Sequence, residues 1–486
     1  MPLPKNPKNT YRQSMFAKIV ALLALCTSTG YALTLQEALE KAYQNNPTLS
    51  AAKNQANASR YQAYAGRGAL LPTLSAEGTW GVTTYDQNSQ TDTIHPRTGA
   101  LTLTQPIFTG GNLSYAAAAA NYNAKAAGAD AAGAAGSILL QTVAAYTGTL
   151  AAAAQVSATE SLVASLEKQE AAAIARLNAG EGTRTDRALT VARLKTAQGN
   201  LATAIAAYQS ASQNLQNLLG IRGEETERGE EDKTTQGEQS VPAAISSWQL
   251  TWPEPAPALY VSHPKTEEEE EKESLPAAYP SPTTVTPPQI PASNLSPARP
   301  LPVAHPTLQA AEARAKAADK TYKSQRGKLL PSLNAVATTA YGEDTSTART
   351  SGTQSSVQLQ LNIPIFKGFS EFNTTRAAAA NRLASADALR AAKNTLEANI
   401  INSNNNLEAY KTTWQAASAA AEAQQDYTTS IEKTYSYGEA SLLDLLDARQ
   451  SLAATKAAAA KAKADYITST YAVLEAQGQL QTPPQR

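Results

Sequence analysis

The chain has 486 residues, 41 basic and 41 acidic side chains, one cysteine, three histidines, five phenylalanines and two methionines. Zero net charge leaves no surplus Lys or Arg to neutralise phosphates, which argues against nucleic-acid binding. Cys26 alone allows no internal disulfide, and His95, His263 and His305 stand far apart, so no metal site, cofactor motif or catalytic signature is expected.

Much of the 42% hydrophobic fraction is alanine and aromatics are only 6%, which favours long helices packed as thin bundles over a thick globular core. Residues 1–32 read as an export signal: Lys5, Lys8, Arg12 and Lys18 precede the apolar run IVALLALC, and Gly30 and Ala32 suit a cleavage site. The mature chain then begins near Leu33. Lipidation at Cys26 is the alternative, although Leu25 before it is larger than the small residue such a site prefers. The uncharged stretch 131–159 is Ala, Gly, Thr and Gln rather than Leu and Ile, so it gains little from lipid and is not expected to span a membrane as a helix.

From Leu33 onward the chain repeats itself. NPTLSAAKNQANASRYQAYAGRGALLPTL, from Asn46, matches HPTLQAAEARAKAADKTYKSQRGKLLPSL, from His305, pairing Pro47 with Pro306 and Gly68 with Gly327. Further on, QPIFTGG meets IPIFKGF, Gly180 meets Gly438 and Gly220 meets Gly478, one residue closer in register. The first repeat spans 33–220 and the second 305–480, with 481–486 as a tail.

Each repeat opens with a helical segment that stops at Leu-Leu-Pro, because proline disfavours helix in the residue before it. A strand hairpin follows, 71–109 in the first repeat and 330–366 in the second, with strands expected at 71–86, 97–109, 330–342 and 353–366. Val357, Leu359, Leu361 and Ile363 alternate strictly with polar residues, the period of a strand with one apolar face. Turns at Gly110–Gly111 and Gly368 then open helices over 112–178 and 369–436, each about 100 Å long at ~1.5 Å per residue. Apolar spacings of three and four support them, as in Leu139, Val143, Tyr146 and Leu150. Gly180 and Gly438 end these helices, and shorter ones return to Gly220 and Gly478. Residues 221–304 differ: they hold most of the prolines, GEETERGEED and the Glu run at 267–271, an insert with little to fold on. It reads as a solvated linker outside the barrels, with cation binding or docking to a basic partner as alternatives.

Four amphipathic strands of this length suit a tilted crossing of a bilayer, yet four cannot close, and an open edge leaves amides unpaired in lipid. Several copies must then pool their strands, and a trimer supplies twelve. Exposed hairpins on an exported coiled-coil structural or adhesive surface protein are the competing reading.

The signal, the LTLQEAL start, the paired NPTL/HPTL and Leu-Leu-Pro segments, the PIF-x-GG hairpin ends and the NLLG closing the first repeat resemble the TolC family of outer-membrane efflux and type I secretion channels. The resemblance covers nearly all of 33–480 apart from the insert. It implies a mostly α fold with β: a homotrimer with a shared twelve-stranded transmembrane β-barrel, four strands per chain, in the outer membrane. A long α-helical barrel would project through the periplasm. It also implies a passive duct that docks onto a periplasmic adaptor and an inner-membrane transporter.

In that family a pair of aspartates rings the periplasmic constriction, and LLDLLDARQSL places Asp444 and Asp447 there. Tyr435 matches a gate-holding tyrosine and Asp186 its acidic partner. The family arginine two residues past the turn glycine is Ala440 here, so Tyr435 to Asp186, or Arg184 or Arg187, is expected to hold the gate instead. Asp186 and Asp444 also fit a bland role, since Thr183-x-x-Asp186 and Ser441-x-x-Asp444 are capping boxes. Asp447 faces Leu189 in the repeat, so capping does not require it.

Overall fold

A computed structural model describes residues 33–87, 90–221, 250–253, 305–345, 351–480 and 482. The expected signal, Cys26 and most of the insert lie outside them. Helix α1 (Leu35–Asn45) and helix α2 (Pro47–Gly68) lead to strands β1 (Thr73–Trp80), β2 (Thr83–Gln87), β3 (Gln90–Ile94) and β4 (Arg97–Phe108). Helices α3 (Asn112–Asn178) and α4 (Arg184–Leu219) complete the first half. The second half runs α5 (Pro306–Gly327), β5 (Ser332–Glu343), β6 (Gly352–Asn362), α6 (Ser370–Ser436) and α7 (Leu442–Ala476). Helices α3 and α6 have 67 residues each, and α2 and α5 have 22 each. Asn46 and His305 cap α2 and α5 with proline at the first helical position, where the missing N–H has no intrahelical partner to lose.

The strands form one antiparallel sheet in the order β1-β4-β5-β6, with β2 and β3 as a separate ribbon beyond it. The expected strand 71–86 is therefore broken. Pro96 has no N–H, so the β1–β4 ladder stops at the pair Trp80 and Arg97, and Gly81 donates to the Pro96 carbonyl at 3.0 Å before pairing resumes between Thr83 and Ile94. The last strand likewise ends at Asn362 rather than 366, two residues ahead of Pro364.

The register sorts the sheet into two faces. Leu74, Leu103, Ala337 and Val357 stand opposite one another across all four strands, as do Ser75, Thr102, Thr338 and Ser356 on the other side. One face is mainly aliphatic, with Thr339 and Ser355 among its members, and the other is mainly Ser, Thr and Gln, with Glu77 and Val336 among its members. Among the described residues nothing covers the aliphatic face: Val357 is 85% exposed and Leu74 70%.

The helices form an equally open array. Helix α3 is flanked by α2 and α4 on one side and by α5 and α7 on the other, whereas α6 packs on α5 and α7 alone. By length and composition α3 qualifies as a membrane span, but half of its most apolar window is buried inside the chain. The largest core among the described residues lies midway, where Leu35, Leu39, Leu139, Val143, Tyr146, Leu215, Leu219, Ile467 and Tyr471 join α1, α3, α4 and α7, and a smaller one of Val163, Leu166, Leu194, Ala197 and Leu446 lies nearer the helical turns.

Leu250 and Trp252, within the insert expected as a solvated linker, also pack on the larger core and anchor that part of it in the middle of the molecule. The buried Tyr146 hydroxyl lies 2.7 Å from the Leu33 carbonyl and 2.9 Å from that of Thr251, and it accepts from Thr251 N at 3.2 Å. Backbone groups of both segments thus find their partner in one side chain, while Lys463 covers the Trp252 ring at 4.8 Å.

Removing that hydroxyl orphans buried backbone groups. Tyr146→Phe is expected to cost about 1–3 kcal/mol and to lower the thermal midpoint in detergent. Burial raises the Tyr146 pKa above 10.0, so the fold favours the neutral phenol. That contribution is complete below pH 10.0 and is lost as pH rises through the raised folded value. The Phe variant should lack this alkaline component in a pH series of melting curves.

Candidate pore constriction at the helical tips

At the far end from the strands, each long helix turns back through the same geometry. Gly180 and Gly438 both have φ +79°, a left-handed conformation that costs glycine nothing. Glu181 N then reaches the Arg176 carbonyl and Glu439 N the Thr434 carbonyl, each at 3.0 Å, which satisfies the last orphaned carbonyls of the helices.

The return helices start differently in detail. Ser441 and Asp444 make a complete capping box, with Asp444 N to Ser441 Oγ at 3.1 Å and Ser441 N to Asp444 Oδ2 at 3.2 Å. The Ser441 hydroxyl also donates to Asp444 Oδ2 at 2.6 Å. Asp444 is thus held rigidly at the tip by its cap. In α4, Thr183 accepts from Asp186 N at 3.0 Å, but the Asp186 carboxylate returns no bond, so this box is only half formed.

Asp447 is not a free carboxylate. Arg193 on α4 donates Nη2 to Asp447 Oδ1 at 2.7 Å and Nη1 to Gln450 Oε1 at 2.7 Å, spanning two positions of α7 with its planar fork. The two side chains are 33% and 53% exposed, a setting in which an ion pair contributes about 0–1 kcal/mol.

Tyr435 does not reach Asp186. Its hydroxyl accepts from Arg176 Nη1 at 2.6 Å, and the Arg176 guanidinium also lies 5.3 Å from the Tyr435 ring centroid. Neither Arg184 nor Arg187, expected as substitutes for the arginine missing at Ala440, takes part in these contacts. Arg176 and Arg193 do, and each ties the first helical hairpin to the second. Within the second hairpin, Arg449 holds Glu432 at 2.9 Å, and Thr428 Oγ1 and Gln424 Nε2 donate to the Ala448 carbonyl at 3.2 and 3.3 Å.

Sequence reasoning missed both arginines because neither belongs to a local motif. Arg193 lies four residues past Leu189, the repeat counterpart of Asp447, so a superposition of the two return helices was the available signal. Among the described residues no group of His, Cys, Asp or Glu could hold a metal ion.

The comparisons with known proteins agree with this architecture. The Brucella suis outer membrane efflux protein BepC is 24% identical over 448 residues, 92% of this chain and 86% of BepC. The Campylobacter jejuni CmeC outer membrane channel superposes with a TM-score of 0.72 at 15% identity, covering 93% of this chain and 87% of that one. The open state of the Neisseria gonorrhoeae MtrE outer membrane channel gives 0.67 at 18% identity, covering 92% and 90%. These leave the alternative of a shed coiled-coil surface protein without support. The model of the outer membrane efflux protein family matches residues 38–221 and 303–479, both halves of the chain without the insert, and the chain belongs to that family.

Proposed function

We propose that this chain is one third of an outer-membrane exit duct: a homotrimer whose twelve strands close a barrel and whose helices continue it as a tube into the periplasm. The observation that carries the reading is the sheet with two unpaired edge strands, β1 and β6, and an uncovered aliphatic face. In hydrocarbon every edge amide needs a partner, so β1 of one copy pairs with β6 of the next until the ring closes. The aliphatic face then meets lipid and the Ser, Thr and Gln face meets water in the lumen. Trp80 and Tyr341 stand toward the outer end of that face, and Phe108 and Phe366 mark the end nearest the helices, as in the aromatic girdles of membrane barrels.

The duct is passive and is served by an inner-membrane transporter through a periplasmic adaptor that meets the helical tips. At the tips, Asp444 and Asp447 line the narrowest point. Three copies bring six such carboxylates together, and Arg193 offsets one of the two in each chain. Arg176 to Tyr435 and Arg193 to Asp447 hold the hairpins together in the closed state, doing the work expected of the arginine absent at Ala440. Asp186, whose carboxylate makes no hydrogen bond among the described residues, faces a neighbouring copy.

Three measurements test this reading. In outer-membrane fractions, unboiled samples should run as a trimer and boiled ones as a monomer; a monomer in native membranes sinks the trimer. In planar bilayers the parent should prefer cations, and Asp447→Asn with Asp444→Asn should remove that preference. Arg193→Gln should do the reverse, raising cation preference and open time by freeing Asp447 and unlinking the hairpins. The ion pair it removes is worth at most about 1 kcal/mol, so the variant should still assemble, and an unchanged conductance would place the constriction elsewhere.

A further inference from the structure

The aliphatic face of the sheet stops where strands give way to helices, and the charge of the chain changes there. In the three turns of α2, α5 and α6 nearest the strands stand six cations, Arg60, Arg67, Lys320, Lys323, Arg326 and Arg376, and two carboxylates, Asp319 and Glu371. At the opposite end of the strands the balance reverses. Among the described residues there, Asp86, Asp92, Glu343 and Asp344 stand with Arg97 as the one Lys or Arg. A chain of zero net charge thus concentrates positive charge at one edge of its sheet.

Ordinary local causes account for only part of this. Arg67 and Arg326 lie in the last turns of α2 and α5, where the helix dipole favours a cation. The dipole does not favour Arg376, near the start of α6, and it does not extend to Arg60 or Lys320. Nor do the two carboxylates explain them: Asp319 pairs with Lys323 at 2.7 Å and with Arg382 at 3.8 Å, and Glu371 with Lys367 at 2.7 Å. Arg67, Lys320, Arg326 and Arg376 have no carboxylate partner among the described residues. Each lies over a ring instead, 6.0 Å from Tyr64, 5.7 Å from Tyr115, 5.8 Å from Tyr322 and 4.3 Å from Phe372.

The cations and rings also share a side of the helical array. A shallow polar cavity marks the other side, lined by Asn123 of α3, Thr321 and Gln325 of α5, and Thr374 and Asn381 of α6. Successive helical residues turn by about 100°, which puts Lys320, Lys323 and Arg326 between a third and half of a turn from Thr321 and Gln325, and Arg376 as far from Thr374 and Asn381. The cavity side matches the Ser, Thr and Gln face of the sheet in chemistry. The ring-bearing side matches the aliphatic face.

We propose that this aromatic and basic collar binds the anionic headgroups of phospholipids in the membrane leaflet that faces the periplasm. The inference rests on the barrel reading above and adds the chemistry of the lipid it selects. Rings paired with cations suit the boundary between hydrocarbon and water, where the ring meets acyl chain and the charged tip reaches the headgroup. The polar layer of one leaflet is about 5–8 Å deep, and the field of a surface charge extends about 8 Å further at physiological salt. At ~1.5 Å per residue, that depth reaches the ten or so helical residues next to the strands, the stretch that holds all six cations.

The test uses the full-length trimer purified in a neutral detergent, with phosphatidylglycerol or phosphatidylcholine added to the micelles, and reads the temperature at which the unboiled trimer band is lost. Phosphatidylglycerol should raise that temperature and phosphatidylcholine should not, and high salt should shrink the difference. Arg326→Gln alone should raise the phosphatidylglycerol fraction needed for half the shift about fivefold. Lys320→Gln, Arg326→Gln and Arg376→Gln together should abolish the shift, while Lys411→Gln, midway along α6, should leave it unchanged. Equal shifts with the two lipids, or a full shift in the triple variant, overturn the proposal. Should the triple variant not assemble, Arg326→Gln and the salt series on the parent decide. A preference for phosphatidylglycerol that emerges only when Glu267, Glu268, Glu269, Glu270 and Glu271 are changed to Gln also overturns it, since the acidic insert then competes for the collar in the native protein. A parent with no trimer at all sinks the barrel reading itself, whereas a trimer indifferent to lipid charge sinks the collar alone.

Discussion

Unpaired backbone amides cannot be left in hydrocarbon, and the architecture follows from that constraint. The four-stranded sheet has an uncovered aliphatic face and two edges that nothing among the described residues satisfies. A soluble protein would blunt such edges with charge, proline or a covering helix. Here the two prolines near the strand ends, Pro96 and Pro364, terminate pairing along the strands but leave the edges themselves open. The proposed ring of three copies removes every edge at once and makes the polar face a lumen.

The helices obey the same logic with weaker forces. Alanine, glycine and serine let α3 approach five neighbouring helices closely, but such residues bury little apolar area per residue. The largest apolar cluster among the described residues is therefore in the midsection, built of Leu, Val, Ile and Tyr side chains, with a smaller one nearer the tips. Tyr146 is central there, because its hydroxyl serves backbone groups from the start of the first half and from the insert together. Trp252 adds the insert's anchor to the same core, so a segment rich in proline and glutamate is tied to the molecule at its middle.

Toward the tips exposed polar links stand beside a second apolar cluster, in which Val163, Leu166, Leu194 and Ala197 of the first hairpin meet Leu446 of the second. A guanidinium on a carboxylate and another on a phenol join the two hairpins, and each is individually weak in water. The Asp444 carboxylate is placed by its capping box, and that of Asp447 by Arg193.

Element types, their order and the duplication were legible in the sequence because each depends on local patterns: period-two alternation in the last strand, proline after Leu-Leu, and glycine at the two helical turns. The ends of α3 and α6 fall within a residue of where Gly111, Gly180, Gly368 and Gly438 put them. The break at Gly81, the docking of Leu250 and Trp252, and the partners of Tyr435 and Asp447 were not legible. Each of these depends on which distant backbone or side chain arrives opposite. Pro96 halts a ladder only because β4 pairs with β1, and Arg193 meets Asp447 only because two return helices approach at the tip. Sequence alone determined what every segment is; tertiary structure decided what each one touches, since contact energy belongs to pairs of surfaces and a propensity belongs to one.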